Sequence, residues 1–381
     1  MVRLALEIVL TLLVVCSAIF YLSTWGVTLA FAREQKGLVL PEKVAGVSLL
    51  IPVRGLDEGA AENWRSFCEQ NHPQYEVIFG VMDPADPALP LLRQLVAAYP
   101  HVFLIYGLPA YGVNHQVSNL MHLLQVARYE LVVFADSDIR VTPDYLRTVT
   151  APLHQPEIGL VTCGYMDHHP QFLGAALASL NRCVEFLPAF LLGRVLDGGL
   201  RYALGPTIAT RKEVIRAWGG LEQVVNRIGS DFHMGRLARA AGYRVEMSPY
   251  VLDNCCGRES VGQVLQRELR WARTIRVNRG WPYYGLGATF GLVYGGPLLL
   301  VSGGAGWSLA LVLGMYLLRL GQAVAAIQVF RCPSLYRWLW VLPLRDVLSF
   351  GVWLAGAVGR RVYWRGRWLA IQPGGRLQSS A

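Results

Sequence analysis

Apolar and polar positions fall into three regimes along the chain. Residues 4–32 are almost continuously apolar, with Glu7 as their one acidic residue. Between Val47 and about residue 279, short apolar runs alternate with segments of helical period, and from about Tyr283 onward long apolar stretches return.

In the middle regime, residues 47–53 read as a first strand, with Arg54-Gly55 as the turn after it and Asp57 placed to cap a helix through about Gln70. A second strand, 75–81, stops at Met82-Asp83-Pro84-Ala85-Asp86-Pro87. A helix over 88–98, a strand over 102–105 and a helix around 117–127 lead to Leu131-Val132-Val133-Phe134-Ala135. That run has the length and β-branched content of a strand buried on both faces, and it ends abruptly in Asp136-Ser137-Asp138. Further strands are predicted at 159–163 and 205–210, and further helices at 171–184, 211–218, from Ser230-Asp231 onward, and at 260–276. Strands alternating with helices predict an α/β domain with a doubly wound, mostly parallel sheet.

The flanking regimes read as membrane segments. Residues 4–32 exceed the roughly 20 that a spanning helix needs. A signal peptide has a shorter apolar core and a small-residue cleavage site, so an uncleaved anchor is expected. Arg33 and Lys36 follow at once, which places the next domain in the cytoplasm by the positive-inside rule. Residues 285–301 and 307–329 read as two spans about a turn at Gly303-Gly304, with Arg319 expected to snorkel. Residues 334–344, interrupted by Pro343, and 346–358 suggest a re-entrant or interfacial pair, and Arg360, Arg361, Arg365 and Arg367 a cytoplasmic tail. The expected division is an anchor at 1–32, a catalytic domain at 33–280 and a membrane region at 281–381.

Composition agrees. With 53% hydrophobic residues, 16% charged residues and a mean hydropathy of +0.34, the 381-residue chain is too apolar for an ordinary soluble domain. Its net charge of +9 sits largely beside apolar segments. This favours anionic lipid headgroups and a phosphorylated substrate over nucleic acid. Seven scattered cysteines, with Cys255-Cys256 adjacent rather than at metal-ligand spacing, argue for reduced thiols and against zinc. Asp167-His168-His169 reads as a solvated loop.

The candidate chemistry lies at strand and helix ends. Two carboxylates spaced i, i+2 repel unless a cation sits between them, so Asp136 and Asp138 suit a divalent ion; the alternative is a polar turn in which Asp138 or Thr142 caps a helix. In a parallel sheet Asp83 or Asp86 would share their edge, able to meet the base and ribose of a nucleotide, although Asp-Pro pairs also form turns. The apolar patch at 186–192 is either core or a membrane-facing lip that admits a lipid. Asp231 at a helix start can cap, or accept a proton from an attacking hydroxyl. Arg267, Arg270 and Trp271, at i, i+3 and i+4, offer guanidinium groups for a diphosphate and a flat apolar wall; they also suit an interfacial helix.

Taken in order, these motifs resemble the membrane glycosyltransferases of the ceramide glucosyltransferase type, among them the bacterial hopanoid-associated enzymes. That pattern is three separated aspartate motifs followed by (Q/R)xxRW between membrane segments, here Asp83 to Ala88, Asp136-Ser137-Asp138, Ser230-Asp231 and Arg267 to Trp271. The resemblance implies a GT-A type (Rossmann-like) fold, a UDP-sugar donor, Mg2+ or Mn2+, and inversion to give a β-glycoside on a membrane lipid. It implies donor binding by Arg54, Asp83, Asp86, Asn114, Gln116 and Asp136, and metal binding by Asp136 and Asp138. Asp231 becomes the general base, and Arg267, Arg270 and Trp271 close over diphosphate and acceptor. The segment Gly112 to Leu120 is similar to the family's G-x-N-x-K-x-x-N-L, but Gln116 stands where Lys is expected. The implied reaction is glucose transfer from UDP-glucose to ceramide. Its alternatives are N-acetylglucosamine transfer to a hopanoid polyol and, from another class, an inactive lipid- or nucleotide-binding membrane protein. The expected location is a bacterial inner membrane with the catalytic domain in the cytoplasm.

Overall fold

The computed structural model describes residues 1–381 except 38–39, 42–43, 255–256, 365 and 380–381. Cys255-Cys256 and Arg365 therefore lie outside the described residues. The chain divides into two compact units: residues 1–34, 167–195 and 258–369 form one, and residues 35–166, 196–257 and 370–381 the other.

The second unit is built on an eight-stranded sheet of β1 (Val47–Val53), β2 (Tyr75–Val81), β3 (Val102–Tyr106), β4 (Leu131–Ala135), β5 (Ile139–Arg140), β6 (Ile158–Met166), β7 (Thr207–Arg211) and β8 (Arg244–Asn254), in the order β3-β2-β1-β4-β7-β6-β8-β5. The block β3-β2-β1-β4 is parallel throughout. Every residue of β4 is buried, as its unbroken apolar run requires. The other half is mixed: β7 runs antiparallel to both β4 and β6, β6 pairs parallel with β8, and β5 is antiparallel to β8. Hydrophobic period reveals that a strand exists, not its direction, which is why the sheet is less parallel than expected. A helix does follow beyond Pro143, but a short strand comes first. Ile139 and Arg140 pair with Asn254 and Asp253, the next helix is Tyr145–Thr150, and neither Asp138 nor Thr142 caps it. Strand β8 was not among the expected strands, although Val245 and Met247, buried between Arg244 and Glu246, carry a period-2 alternation at its start.

Because Val53 pairs with Val81 and Leu50 with Phe134 in parallel register, Arg54, Asp83 and Asp136 all follow the same edge of the sheet. The helix His115–Val126 is held on β2 at Gly80, whose carbonyl accepts from Asn119 Nδ2 at 2.7 Å. Any Cβ at Gly80 would meet Asn119 Oδ1 at 2.0 Å, so this close approach needs glycine.

The other unit carries the apolar helices. Val2–Lys36, Leu173–Leu196, Gly306–Val329 and Pro333–Gly356 are each long and apolar enough to cross a membrane, and Pro282–Thr289 with Gly291–Ser302 makes a fifth candidate bent by 55°. Residues 333–356, most of the stretch expected as a re-entrant or interfacial pair, form one such run. Pro343 stands in the first turn of Leu342–Gly356, where a missing N–H costs no hydrogen bond. Leu187, Phe190 and Leu191 are buried, so much of the 186–192 patch is core.

Arg319 does not snorkel. It is 1% exposed and reaches Asp346 at 2.7 Å, Glu185 at 3.2 Å and the Val184 carbonyl at 2.9 Å. A buried guanidinium persists only with such partners. Asp167 to His169 is likewise tied down rather than solvated: Asp167 is buried and His168 Nε2 lies 3.2 Å from the Phe330 carbonyl. The described cysteines Cys16, Cys68, Cys163, Cys183 and Cys332 are free thiols, and burial pushes those of Cys68 and Cys163 up to about 12.

Candidate active site

In the α/β unit, the backbone after β4 is clamped from three directions. The Asp136 N–H donates to the Pro206 carbonyl at 3.1 Å, the Ser137 carbonyl accepts from Trp64 Nε1 at 3.1 Å, and the Asp138 carbonyl accepts from Asn254 Nδ2 at 3.3 Å. Asp136 and Asp138 are half-buried on either side of a buried Ser137. Gln116 Nε2 donates to Asp136 Oδ1 at 2.6 Å.

Asn114 places Gln116. It is 1% exposed and caps the helix His115–Val126, accepting from the Val117 N–H and donating from Nδ2 to the Arg227 carbonyl at 3.1 Å.

Asp231 sits in the first turn of Ser230–Ala240. The cap position belongs to Gly229, in the left-handed region at φ 64°, and no side chain caps that end, so neither Ser230 nor Asp231 is a cap. A Cβ at Gly205 would lie 3.2 Å from Asp231 Oδ2. Gly205 therefore leaves little space for a side chain beside Asp231, and the next residue, Pro206, accepts the Asp136 N–H.

The two acids after β2 differ. Asp83 is exposed and accepts only the local N–H of Ala85, at 2.9 Å, among the bonds described. Asp86 is buried and joins two turns, accepting from Gly55 N–H at 2.9 Å and Ala88 N–H at 2.9 Å. Arg54 is exposed at the turn that Asp86 fixes. Among the described residues, no three His, Cys, Asp or Glu side chains cluster as metal ligands. Asp136 and Asp138 offer hard carboxylate oxygens, donors of the kind Mg2+ or Mn2+ takes, and not the nitrogen and sulfur donors of a closed zinc site.

The RxxRW motif belongs to the membrane unit. It lies on Val261–Arg279, which starts with a capping box between Ser260 and Gln263. Arg267 pairs with Glu259 and stacks over Trp271 at 5.4 Å. Arg182 lies 5.7 Å from the same ring, and Arg270 stands over Trp364 at 5.6 Å. Between the arginines, buried Glu268 accepts a two-pronged contact from Arg345 at 3.1 and 2.8 Å. Sequence reasoning missed Glu268 and Arg345; an acid inside a basic motif and an arginine inside an apolar stretch were the available signals.

A parallel block opening onto acidic strand ends, extended by a mixed half-sheet, defines the GT-A type of glycosyltransferase domain. A solved mannosyltransferase from Pyrobaculum calidifontis, in complex with GDP-Man and Mn2+, shares this fold at a TM-score of 0.50 and 16% identity, covering 91% of this chain and 97% of that one. The family described as Glycosyl transferase family 21 matches residues 9–377, and the chain belongs to it. Ceramide glucosyltransferase 3 of Caenorhabditis elegans is 26% identical over 231 residues, 60% of this chain and 50% of that protein. Ceramide glucosyltransferase 1 of the same organism is 22% identical over 356 residues, 88% of this chain and 73% of that protein. The chain thus spans half the length of the first relative and about three quarters of the second. The resemblance of the chain to the ceramide glucosyltransferase type of membrane glycosyltransferase is borne out.

Proposed function

We propose that this protein transfers a sugar from a UDP-sugar to the hydroxyl of a membrane lipid with inversion, in the simplest case glucose from UDP-glucose to ceramide. The observation that carries this reading is that Asp231 lies beside Gly205 while the next residue, Pro206, accepts the Asp136 N–H, so one short segment neighbours both acids. Asp231 accepts the proton of the lipid hydroxyl as its oxygen bonds to the anomeric carbon; the bond from that carbon to the UDP oxygen breaks, and the electron pair leaves with UDP. Gln116 orients Asp136, and Asp83 with Arg54 meets the nucleotide. Asp136 and Asp138 would hold Mg2+ or Mn2+, which supplies positive charge to the departing diphosphate. The parts of Arg267, Arg270 and Trp271, at diphosphate and acceptor, rest on the sequence motif. Arg33 and Lys36, after the first apolar helix, support a cytoplasmic α/β unit.

The test is mass spectrometry of lipid products after incubation with UDP-glucose or UDP-N-acetylglucosamine, Mg2+ or Mn2+, and ceramide or a hopanoid polyol in detergent. Hexosylceramide is the expected product. An N-acetylhexosaminyl hopanoid would keep the mechanism and change both substrates. Absence of product in every pairing, with donor binding intact, would contradict transfer to these lipids.

A further inference from the structure

One segment of the α/β unit has no part in the proposed chemistry, yet it is bonded to the loop from which two site residues are hung. Residues 372–377 fold into a tight turn closed by Gln372 N–H to the Arg376 carbonyl at 2.8 Å and Gly375 N–H to the Gln372 carbonyl at 3.1 Å. Gly374 and Gly375 have φ of 73° and 78°, values at which a side chain is strained. This turn grips residues 226–228. Ile228 N–H donates to the Gly375 carbonyl at 2.9 Å, Leu377 N–H to the Asn226 carbonyl at 2.8 Å, and Arg227 Nη1 to the Gly374 carbonyl at 2.7 Å. Arg227 and Arg376 form an antiparallel bridge.

The opposite side of the same loop holds residues 113–114. The Val225 carbonyl accepts the Asn114 N–H at 2.9 Å, Asn226 Oδ1 accepts the Val113 N–H at 2.9 Å, and the Arg227 carbonyl accepts Asn114 Nδ2 at 3.1 Å. Asn114 caps the helix that delivers Gln116 to Asp136, and Ile228 is followed by Gly229, Ser230 and Asp231.

We propose that residues 372–377 are a positioning strap: by holding the loop at 225–228 they set both the Gln116–Asp136 contact and the entry of the helix that bears Asp231. The coupling stands on these hydrogen bonds alone, whereas its effect on turnover rests on the proposed sugar transfer.

The experiment uses the full chain in detergent and two perturbations. Gly375→Val strains the strap from its own side. Arg227→Ala removes the guanidinium contact, and Arg227→Lys keeps one donor. Hydrogen exchange, nucleotide-sugar KM, kcat and thermal midpoint are measured for each. Gly375→Val should raise exchange about tenfold in peptides covering 112–118 and 228–234 while β1 stays protected. Where the parent transfers sugar, donor KM should rise and kcat fall about tenfold at an unchanged thermal midpoint, with Arg227→Lys partly restoring what Arg227→Ala loses. Exchange confined to 370–379 would overturn the coupling. Raised exchange at the two site segments with unchanged kinetics, or losses that only track the thermal midpoint, would overturn the positioning role. A parent that transfers no sugar would contradict the proposed function, and the exchange data would still decide the strap.

Discussion

Gln116 donates its side-chain N–H to Asp136 at 2.6 Å, so a neutral amide makes the contact at a position where the sequence resemblance leads us to expect Lys. An amide orients the carboxylate without neutralising it, which leaves the full negative charge of Asp136 available to a cation. Lysine there would form a fixed ion pair and compete.

Replacing Gln116 with Leu removes a hydrogen bond to a charged group, worth about 1.5–3 kcal/mol. The half-saturating Mg2+ or Mn2+ concentration for transfer should rise about tenfold or more, and the thermal midpoint should fall by the few degrees such a bond is worth. Gln116→Lys should also raise it, through competition at Asp136. Metal titration of initial rates checks both; an unchanged metal requirement in Gln116→Leu would remove Gln116 from the site.

Asp231→Asn should lower kcat by about 10²–10⁴ and leave UDP-sugar binding intact, since the amide cannot take the acceptor's proton. Gly205→Ala brings a methyl to 3.2 Å from Asp231 Oδ2. It should lower kcat about tenfold with donor KM unchanged. Normal turnover in Asp231→Asn would show that another group is the base.

Asp83 and Asp86 are adjacent in motif but not in role. Asp86→Ala strands the Gly55 and Ala88 N–H groups, at about 1–3 kcal/mol for a buried unsatisfied donor, and should lower the unfolding midpoint together with activity. Asp83→Ala should change stability by less than about 0.5 kcal/mol and act on donor KM alone. Parallel thermal melts and kinetics separate the two.

Arg345 has a fully buried side chain and meets Glu268 at 2.8 Å. Glu268→Ala leaves that guanidinium without its closest carboxylate and should destabilise the membrane unit by about 3–5 kcal/mol. Unfolding in detergent measures it. Glu268→Gln, which keeps one acceptor, should fall in between. A midpoint unmoved by Glu268→Ala would mean that Glu185 and Ser349 suffice for Arg345.

What the sequence by itself determined was most of the inventory and its order, strands β5 and β8 apart. The unbroken run 131–135 specified a strand buried on both faces, the Asp-Pro pairs a turn, and the apolar stretches the helices able to span a membrane. All are local signals of period, composition and charge. The aspartate and RxxRW motifs were enough to indicate the family. Only the tertiary structure decided strand direction in the β7-β6-β8-β5 half, because direction depends on which distant strands pair. The structure also decided that Gly229, not Ser230 or Asp231, occupies the cap position, that Asp86 joins two turns, and that Arg319 and Arg345 lie among buried acids instead of reaching for water. The approach of Gly205 to Asp231, the hydrogen bond from Asp136 to Pro206, and the bonds from residues 372–377 to the loop at 225–228 join segments tens or hundreds of residues apart. Their partners are fixed by packing and hydrogen-bond geometry, which no local pattern encodes.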